Sequence, residues 1–217
     1  MARSDPIAVD IVSDVVCPWC YIGKRKFEIA LERLHEVEPR IELAVRWHPF
    51  QLNPDLPAEG VSRAEYLAAK FGPRSGDIYS QLRTVGREVG IDFAFERIVR
   101  QPNTLDAHRL IAWAQQTGEA GNLVERLFRA YFVEGRFIGS RSELTEIAQE
   151  AGYAAAEVSS VLDSDQLTEI VVAENREAKE SGINAVPFFI FNGRTAVSGA
   201  HEPETLLDTM NAARSAA

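Results

Sequence analysis

The motif Cys17-Pro18-Trp19-Cys20 lies where an apolar strand pattern gives way to a helical pattern, and it restricts the fold more than any other stretch. The segment before it, Ile7–Val12, is β-branched and mostly apolar, which predicts a strand. Apolar residues recur at helical spacing after the motif, at Ile22, Phe27, Ala30, Leu31 and Leu34. Pro18 suits the first turn of a helix, because the N–H that proline lacks would have no partner there. The sequence therefore predicts a helix that begins at the motif.

The same motif places sulfur chemistry at the start of that helix. Cys17 and Cys20 are the only two cysteines among the 217 residues. Unpaired backbone N–H groups and the positive end of the helix dipole favour a thiolate, so we expect a lowered pKa for the Cys17 thiol. Cys20 follows three residues later on the same side of the helix, close enough for a disulfide. The sequence therefore predicts that Cys17 attacks and that Cys20 resolves.

Other uses of a cysteine pair are less compatible with this sequence. A structural zinc site needs four ligands, and the four histidines are scattered singly, so no metal site is predicted. A static disulfide across so short a loop adds little stability, and intracellular thiols stay reduced. Two buried bystander cysteines remain an alternative, but redox chemistry better explains a Cys-Pro-x-Cys motif between a strand and a helix.

The net charge and the hydropathy of the chain limit its binding partners and the cellular compartment in which we expect it. The net charge of −9 argues against nucleic acid and anionic membrane surfaces as partners. No apolar run approaches the length of a membrane span, and the N-terminus lacks the apolar segment of a secretory signal. We therefore expect a cytoplasmic protein that binds neither nucleic acid nor membrane.

Hydrophobic periodicity divides the chain into three parts. Residues 1–60 predict a strand, a helix and a second strand, which together make a βαβ unit. Residues 61–181 predict helices almost throughout. Residues 182–217 predict a buried strand at Phe188–Phe191, a tight turn at Asn192-Gly193, a return strand and a closing helix. The predicted fold class is α/β, with a sheet interrupted by a large all-helical insertion.

A strand, a helix and a strand, followed by a hairpin and a helix, with Cys-x-x-Cys after the first strand, is the thioredoxin arrangement. Four stretches carry a closer resemblance along nearly the whole chain: Asp14–Gly23, Pro49–Pro54, Asn103–Leu110 and Gly182–Phe189. On these stretches the chain resembles the DsbA-like thioredoxin superfamily, in the branch of the FrnE-type dithiol oxidoreductases and the 2-hydroxychromene-2-carboxylate isomerases. The resemblance implies a thioredoxin-like fold with a central mixed sheet and a helical insertion.

The resemblance also implies a substrate-binding site around the motif. It implies a cis peptide bond between Val186 and Pro187, opposite the Cys17 thiol, whose backbone pairs with an extended peptide or glutathione. A proline before a buried strand is compatible with this, because proline interrupts strand pairing, although a trans proline that begins a strand is the commoner alternative. Pro18 and Trp19 complete the implied site, with Trp19 covering the disulfide.

Four further residues are candidates for the cleft. In relatives that bind glutathione, the loop of Gln51 and Asn53 and the loop 198–202, which holds His201, contact the tripeptide, so the resemblance implies these residues. His108 lies on the apolar side of its predicted helix and could line the cleft. A core histidine that bonds to a backbone group is the more frequent outcome.

Three functions remain open. The first is a dithiol–disulfide oxidoreductase that acts on a disulfide-containing protein or a small-molecule thiol substrate through Cys17 and Cys20. It needs no cofactor beyond the cysteine pair, but without a third cysteine it needs an external partner, glutathione or a thioredoxin system. The alternative is a glutathione-dependent isomerase or transferase of the 2-hydroxychromene-2-carboxylate isomerase type, in which relatives generally carry serine at the position of Cys17. A binding module for extended peptides is the weakest of the three, and a homodimer stays open.

Overall fold

The computed structural model describes residues 6–72, 75–118 and 120–215. Its strands are β1 (Ile7–Ser13), β2 (Leu43–Pro49), β3 (Val61–Ser62), β4 (Arg100–Gln101), β5 (Phe188–Phe191) and β6 (Thr195–Ser198). Its helices are α1 (Pro18–Val37), α2 (Arg63–Phe71), α3 (Ser75–Glu88), α4 (Leu105–Thr117), α5 (Gly121–Phe132), α6 (Arg141–Glu150), α7 (Ala155–Leu162), α8 (Thr168–Glu180) and α9 (Pro203–Ser215). Within the described ranges, no helix has both the length and the apolar character needed to cross a membrane.

Four of the strands form the central sheet, in the order β2-β1-β5-β6. β1 runs parallel to β2 and antiparallel to β5, which in turn runs antiparallel to β6. Ile11, in the middle of β1, lies between Trp47 of β2 and Phe189 of β5, and all three side chains are buried. This arrangement confirms the predicted α/β class and the central mixed sheet of a thioredoxin-like fold.

The hairpin of β5 and β6 turns at Asn192 and Gly193, as the sequence predicts. Both residues have positive φ, 50° and 64°, which asparagine and glycine adopt more readily than other residues. The side-chain oxygen of Asn192 accepts the N–H of Ala8 at 2.9 Å, and this bond holds the turn against the start of β1. The hairpin is thereby fixed in the sheet next to the strand that leads into the cysteine motif.

The segment 61–181 is mainly helical, and it contains one pairing that periodicity does not predict. β3 and β4 pair antiparallel, with Val61 opposite Gln101. Strands of two residues are too short to produce an alternating pattern, so the sequence carries no signal for them. The pairing brings Gln101 beside Arg63, the first residue of α2.

One hydrophobic cluster extends across all three sequence segments. Tyr21 of α1 stacks on Phe128 of α5, with ring centroids 5.0 Å apart and planes at 8°. Phe93 meets Tyr21 edge-on at a centroid distance of 6.2 Å. Aromatic pairs of this kind add about 1 kcal/mol each beyond the burial of their surface, so they hold α1 firmly against the insertion. The boundaries predicted after residues 60 and 181 run through this shared core, and they stay predictions.

Candidate active site

Cys17 occupies the N-cap position of α1, and Pro18 lies in the first turn. Cys17 and Cys20 are free thiols, and they are 6% and 1% exposed. The N–H of Cys20 donates to the carbonyl of Cys17 at 3.0 Å, which closes the first turn and puts both side chains on one side of the helix. Cys17 therefore lies at the N-terminal end of α1, one helical turn before Cys20.

The buried Cys20 differs from Cys17 in its surroundings. Burial, and then the hydrogen bond and the charge of Cys17, raise the pKa of the Cys20 thiol well above its ordinary value. The side chain of Ser13 and the backbone of Asp14 lower the pKa of this thiol, but they do not offset the rise. Cys20 is thus a thiol that keeps its proton behind the more accessible Cys17.

The turn before β5 lies against the Cys17 sulfur. The peptide bond between Val186 and Pro187 is cis, and the Sγ of Cys17 donates to the carbonyl of Val186 at 3.6 Å. The carbonyl of Pro187 accepts the N–H of Gly199 at 2.8 Å. A Cβ at Gly23 of α1 would lie only 2.6 Å from the Cγ of Pro187. Glycine at position 23 therefore lets α1 and this turn approach each other.

A cavity of about 400 Å³ opens beside the motif, on the side that faces the insertion. Cys17, Pro18 and Trp19 line it from the motif, and residues of α2 and α3 line it from the insertion. Ligand pockets commonly measure roughly 300–1,000 Å³, so this cavity suits a small molecule. The Cys17 sulfur and a cavity of this size are therefore adjacent.

A more open cavity of about 540 Å³ lies along β2 and contains neither cysteine. Among the described residues, no group of three or more histidine, cysteine, aspartate and glutamate side chains is placed to hold a metal ion. The Cys17 thiol therefore lines the smaller cavity of about 400 Å³ and not the larger one.

Gln51 and Asn53, which the resemblance implies for glutathione binding, lie in different surroundings. Gln51 is 3% exposed, its N–H donates to Asn175 at 2.7 Å, and its carbonyl accepts from Lys179 at 2.9 Å. These bonds link Gln51 to α8, and it is not among the described residues that line the 400 Å³ cavity. Asn53 accepts a hydrogen bond from the hydroxyl of Tyr66, a lining residue, at 3.2 Å. A ligand-binding role for either residue stays a prediction.

His108 lies in the core behind the motif. It is 4% exposed, and its Nε2 is 3.3 Å from the Oδ1 of Asp14, which is fully buried. The Oδ2 of Asp14 also accepts the N–H of Leu52 at 2.8 Å. His108 is not among the described residues that line the cavity beside Cys17, and its ring meets a carboxylate where the core alternative expected a backbone group. A role for His108 in the cleft stays a prediction.

His201 is exposed in the loop before α9, and its Nε2 is 2.9 Å from the carbonyl of Ser198. The same loop bonds to Pro187 through the N–H of Gly199. The structure therefore brings this loop close to the cis peptide bond, while contact of His201 with a ligand stays a prediction.

Sequence reasoning missed the polar residues that line the cavity from the insertion, chiefly Arg63. The sequence signal at this position is a capping box, and the Oγ of Ser62 does accept the N–H of Glu65 at 3.4 Å. No periodic pattern marks Arg63 as buried. Its burial depends on the β3–β4 pairing and on contact with Tyr79 of α3, which are both distant along the chain.

Comparison with known proteins agrees with the fold. A family model described as the DSBA-like thioredoxin domain matches residues 8–211. The chain belongs to the DSBA-like thioredoxin domain family. The crystal structure of a probable DsbA oxidoreductase from Streptomyces coelicolor is 30% identical to this DSBA-like chain, with a TM-score of 0.85. The match covers 95% of this chain and 89% of that chain.

Two structures of lower identity share the fold of this DSBA-like chain. A 2-hydroxychromene-2-carboxylate isomerase is 16% identical with a TM-score of 0.68, over 94% of this chain and 95% of that chain. The cytosolic disulfide reductase DsbM from Pseudomonas aeruginosa, whose structure with GSH is also known, is 19% identical with a TM-score of 0.62, over 96% and 95%. Together with the family match, they confirm the resemblance to the DsbA-like superfamily.

Proposed function

We propose that this DSBA-like protein is a thiol–disulfide oxidoreductase that works through Cys17 and Cys20. The pair of unlike thiols at the start of α1 carries the proposal. Cys17 occupies the N-cap position, 3.6 Å from the carbonyl of Val186, while Cys20 lies behind it with a raised pKa. The Cys17 thiol is thus placed to react with a substrate, and the Cys20 thiol lies one helical turn away, where it can attack the resulting mixed disulfide.

The proposed reaction has two exchange steps. The Cys17 thiolate attacks one sulfur of a substrate disulfide, and the other sulfur leaves as a thiolate. Cys20 then loses its proton and attacks the Cys17 sulfur of the mixed disulfide, which releases the second substrate thiol. The protein ends with a Cys17–Cys20 disulfide, and the substrate has gained two electrons. The reverse sequence oxidises a dithiol substrate.

The proposed substrate contacts follow from the surroundings of Cys17. Pro18 and Trp19 line the cavity beside the sulfur, so they meet the body of a bound substrate. Val186 and Pro187 flank the same sulfur through the carbonyl at 3.6 Å. Backbone groups at this turn can pair with an extended peptide in the manner of an added strand.

A partner must restore the cysteine pair after each turnover. The chain has no third cysteine, so we include an external thiol, glutathione or a thioredoxin system, in the proposal. The GSH in the DsbM structure supports the first choice, and the description of DsbM as cytosolic supports a cytoplasmic site of action. In such a compartment this kind of pair acts mainly as a reductant.

The test is a single turnover of the fully reduced protein with an aromatic disulfide that releases a coloured thiolate. The wild-type protein should release two thiolates per chain, Cys20→Ser one, and Cys17→Ser none at a comparable rate. Mass analysis should find an internal disulfide in the wild type and a mixed disulfide on Cys17 in Cys20→Ser. Full reactivity of Cys17→Ser would contradict the proposal. Glutathione-dependent conversion of a 2-hydroxychromene-type acid by Cys17→Ser would favour the isomerase reaction instead.

A further inference from the structure

Arg63, the first residue of α2, is a buried cation that meets no carboxylate among the residues that the structure describes. It is 7% exposed, and it lines the cavity that Cys17 also lines. Among the described residues, its side chain bonds to neutral groups alone. Arginine is seldom buried unless it is paired, because a desolvated charge costs several kcal/mol. Arg63 therefore has a charge that the described part of the chain does not neutralise.

The groups around Arg63 orient its side chain. Its terminal nitrogens donate to the side-chain oxygen of Gln101 and to the hydroxyl of Tyr79. Its guanidinium carbon lies 5.6 Å from the ring centroid of Tyr66 and 5.8 Å from that of Tyr79. Its Nε is buried, and no described group bonds to it. These hydrogen bonds and ring contacts thus fix the position of the Arg63 guanidinium.

The rest of this cavity has the same electrostatic character. Lys70 also lines it, donates to the hydroxyl of Tyr66 at 2.7 Å, and lies 5.6 Å from the ring centroid of Phe71. None of the described lining residues is aspartate or glutamate, although the chain has 32 acidic and 23 basic residues. A protein of net charge −9 therefore presents a cationic and aromatic wall beside its reactive thiol.

We propose that this cavity binds a small organic acid that carries the reacting disulfide or thiol, with its carboxylate on Arg63. The proposal rests on the thiol–disulfide chemistry proposed above and names its substrate class. A guanidinium binds a carboxylate through paired, charge-assisted hydrogen bonds. The rings of Tyr66 and Tyr79 and the side chain of Trp19 contact the aromatic or apolar body of the acid. The volume of about 400 Å³ suits one such molecule.

The electrons balance as in the proposed function. The Cys17 thiolate breaks the S–S bond of the acid, and one carboxylate-bearing thiolate leaves. Cys20 displaces the second thiolate from the mixed disulfide, so two electrons pass from the cysteine pair to the acid. A thiol of the glutathione class reduces the pair again in repeated turnover, and a single turnover needs none.

The test compares dithiobis(nitrobenzoic acid) with dithiobis(nitrobenzene), two aromatic disulfides that differ in their carboxylates. The rate constants of the reduced protein are divided by those of mercaptoethanol with the same reagent, which removes the intrinsic reactivity of each disulfide. The wild-type protein should prefer the carboxylated reagent by about tenfold, as one charge-assisted contact allows. Arg63→Gln should lose this preference, so that the ratio of its two normalised rate constants falls to about one.

A matched control and a conservative variant accompany this test. Arg83→Gln removes the same charge from α3, at a residue that bonds to Glu96 and does not line the cavity, so the preference should persist. Arg63→Lys keeps the charge and should keep part of the preference. Equal loss with both reagents in Arg63→Gln, or no preference in the wild type, would overturn the proposal.

Because Arg63 also links Gln101 to Tyr79, a second measurement uses the unaltered protein. Nitrobenzoate should compete with dithiobis(nitrobenzene) at least about tenfold more strongly than nitrobenzamide, the same ring without a charge. Equal inhibition by the two would overturn carboxylate binding. If only carboxylate binding is wrong, Cys17 still reacts with the neutral disulfide. If the proposed oxidoreductase function is wrong, Cys17 reacts with neither reagent.

An acidic peptide could bring the same carboxylate to Arg63. Two short peptide disulfides, with glutamate or glutamine beside the cysteine, test this source. The small-acid proposal expects a weaker Arg63-dependent preference between the peptides than between the nitrophenyl reagents. A stronger preference between the peptides would assign the cavity to acidic peptides and overturn the proposal.

Discussion

The cleft beside Cys17 has two walls that are built differently. The motif wall is the start of α1, which lines the cavity, together with the turn at Val186 and Pro187 that packs against it. Backbone groups position this wall, with the Val186 carbonyl 3.6 Å from the Cys17 sulfur. The insertion wall consists of the lining residues of α2 and α3, and side chains position it, since Arg63 bonds to Tyr79 across the two helices.

This difference suggests that one wall holds the sulfurs in place and that the other wall decides which substrates bind. Backbone contacts and a close approach at Gly23 leave little freedom for substitution in the motif wall. Side chains on α2 and α3 can change without moving either sulfur. We therefore expect changes in the motif wall to affect all disulfides alike, and changes in the insertion wall to affect some substrates more than others.

The largest effect should come from Asp14, which links the motif loop to the insertion. Asp14→Ala leaves buried His108 and the N–H of Leu52 without their acceptor, so the free energy of unfolding should fall by about 3 kcal/mol. Urea denaturation measures this change, and Asp208→Ala, an exposed position on α9, should stay within about 0.5 kcal/mol. A loss below about 1 kcal/mol would show that the motif loop is held against α4 without this link.

Gly23→Ala tests the motif wall alone. The added methyl group would meet Pro187 at 2.6 Å, so the turn must shift, at a cost of about 2 kcal/mol. The rate with dithiobis(nitrobenzoic acid) and the rate with dithiobis(nitrobenzene) should fall by the same factor, because the sulfur itself loses its surroundings. Gly121→Ala, where a methyl group meets nothing within 4 Å, serves as the control for both unfolding and rate. If the two rates fell by different factors, the motif wall would also affect the choice of substrate, which would contradict the proposed division of roles between the walls.

Glu125→Gln changes a contact outside both walls. Burial raises the pKa of Glu125, but Lys24 and Arg25 outweigh it, so the pKa of this carboxyl is lowered. The stability that the ionised group contributes is present above its unfolded pKa and is lost as the pH falls through the folded pKa. The variant should lose about 1 kcal/mol at neutral pH and less in acid, measured by urea denaturation at several pH values. A changed carboxylate preference would contradict the comparison.

The smallest effect is expected at His48, which joins β2 to α8 through Glu174. The Glu174 carboxylate, 3.6 Å from the ring, raises the pKa of His48, burial opposes the rise, and the Asp10 carboxylate at 2.8 Å adds to it. The contribution of the charged ring is therefore complete below the unfolded pKa and is lost as the pH rises through the folded pKa. His48→Gln should lose about 0.5 kcal/mol near pH 6 and nothing near pH 9, by thermal unfolding. A loss of stability in His48→Gln that grows with pH would contradict the raised pKa of His48.

Local chemistry made the motif wall predictable. The spacing of Cys17 and Cys20 and the proline between them suffice to place both thiols at a helix start, and the structure agrees. The cis bond at Pro187 came from resemblance to a family, because a trans proline before a strand fits the same local pattern. The cavity could not be predicted, since Arg63 carries the local signal of an ordinary capping box.

The sequence by itself determined the sheet, the helix start and the cysteine pair, because these depend on periodicity and on neighbours within one helical turn. The tertiary structure decided which polar side chains are buried and which groups they bond to. Arg63 is buried through Gln101 and Tyr79, and His108 through Asp14, which are contacts between residues far apart in the chain. Burial of a polar group depends on the summed packing of several elements, and no local pattern encodes that sum.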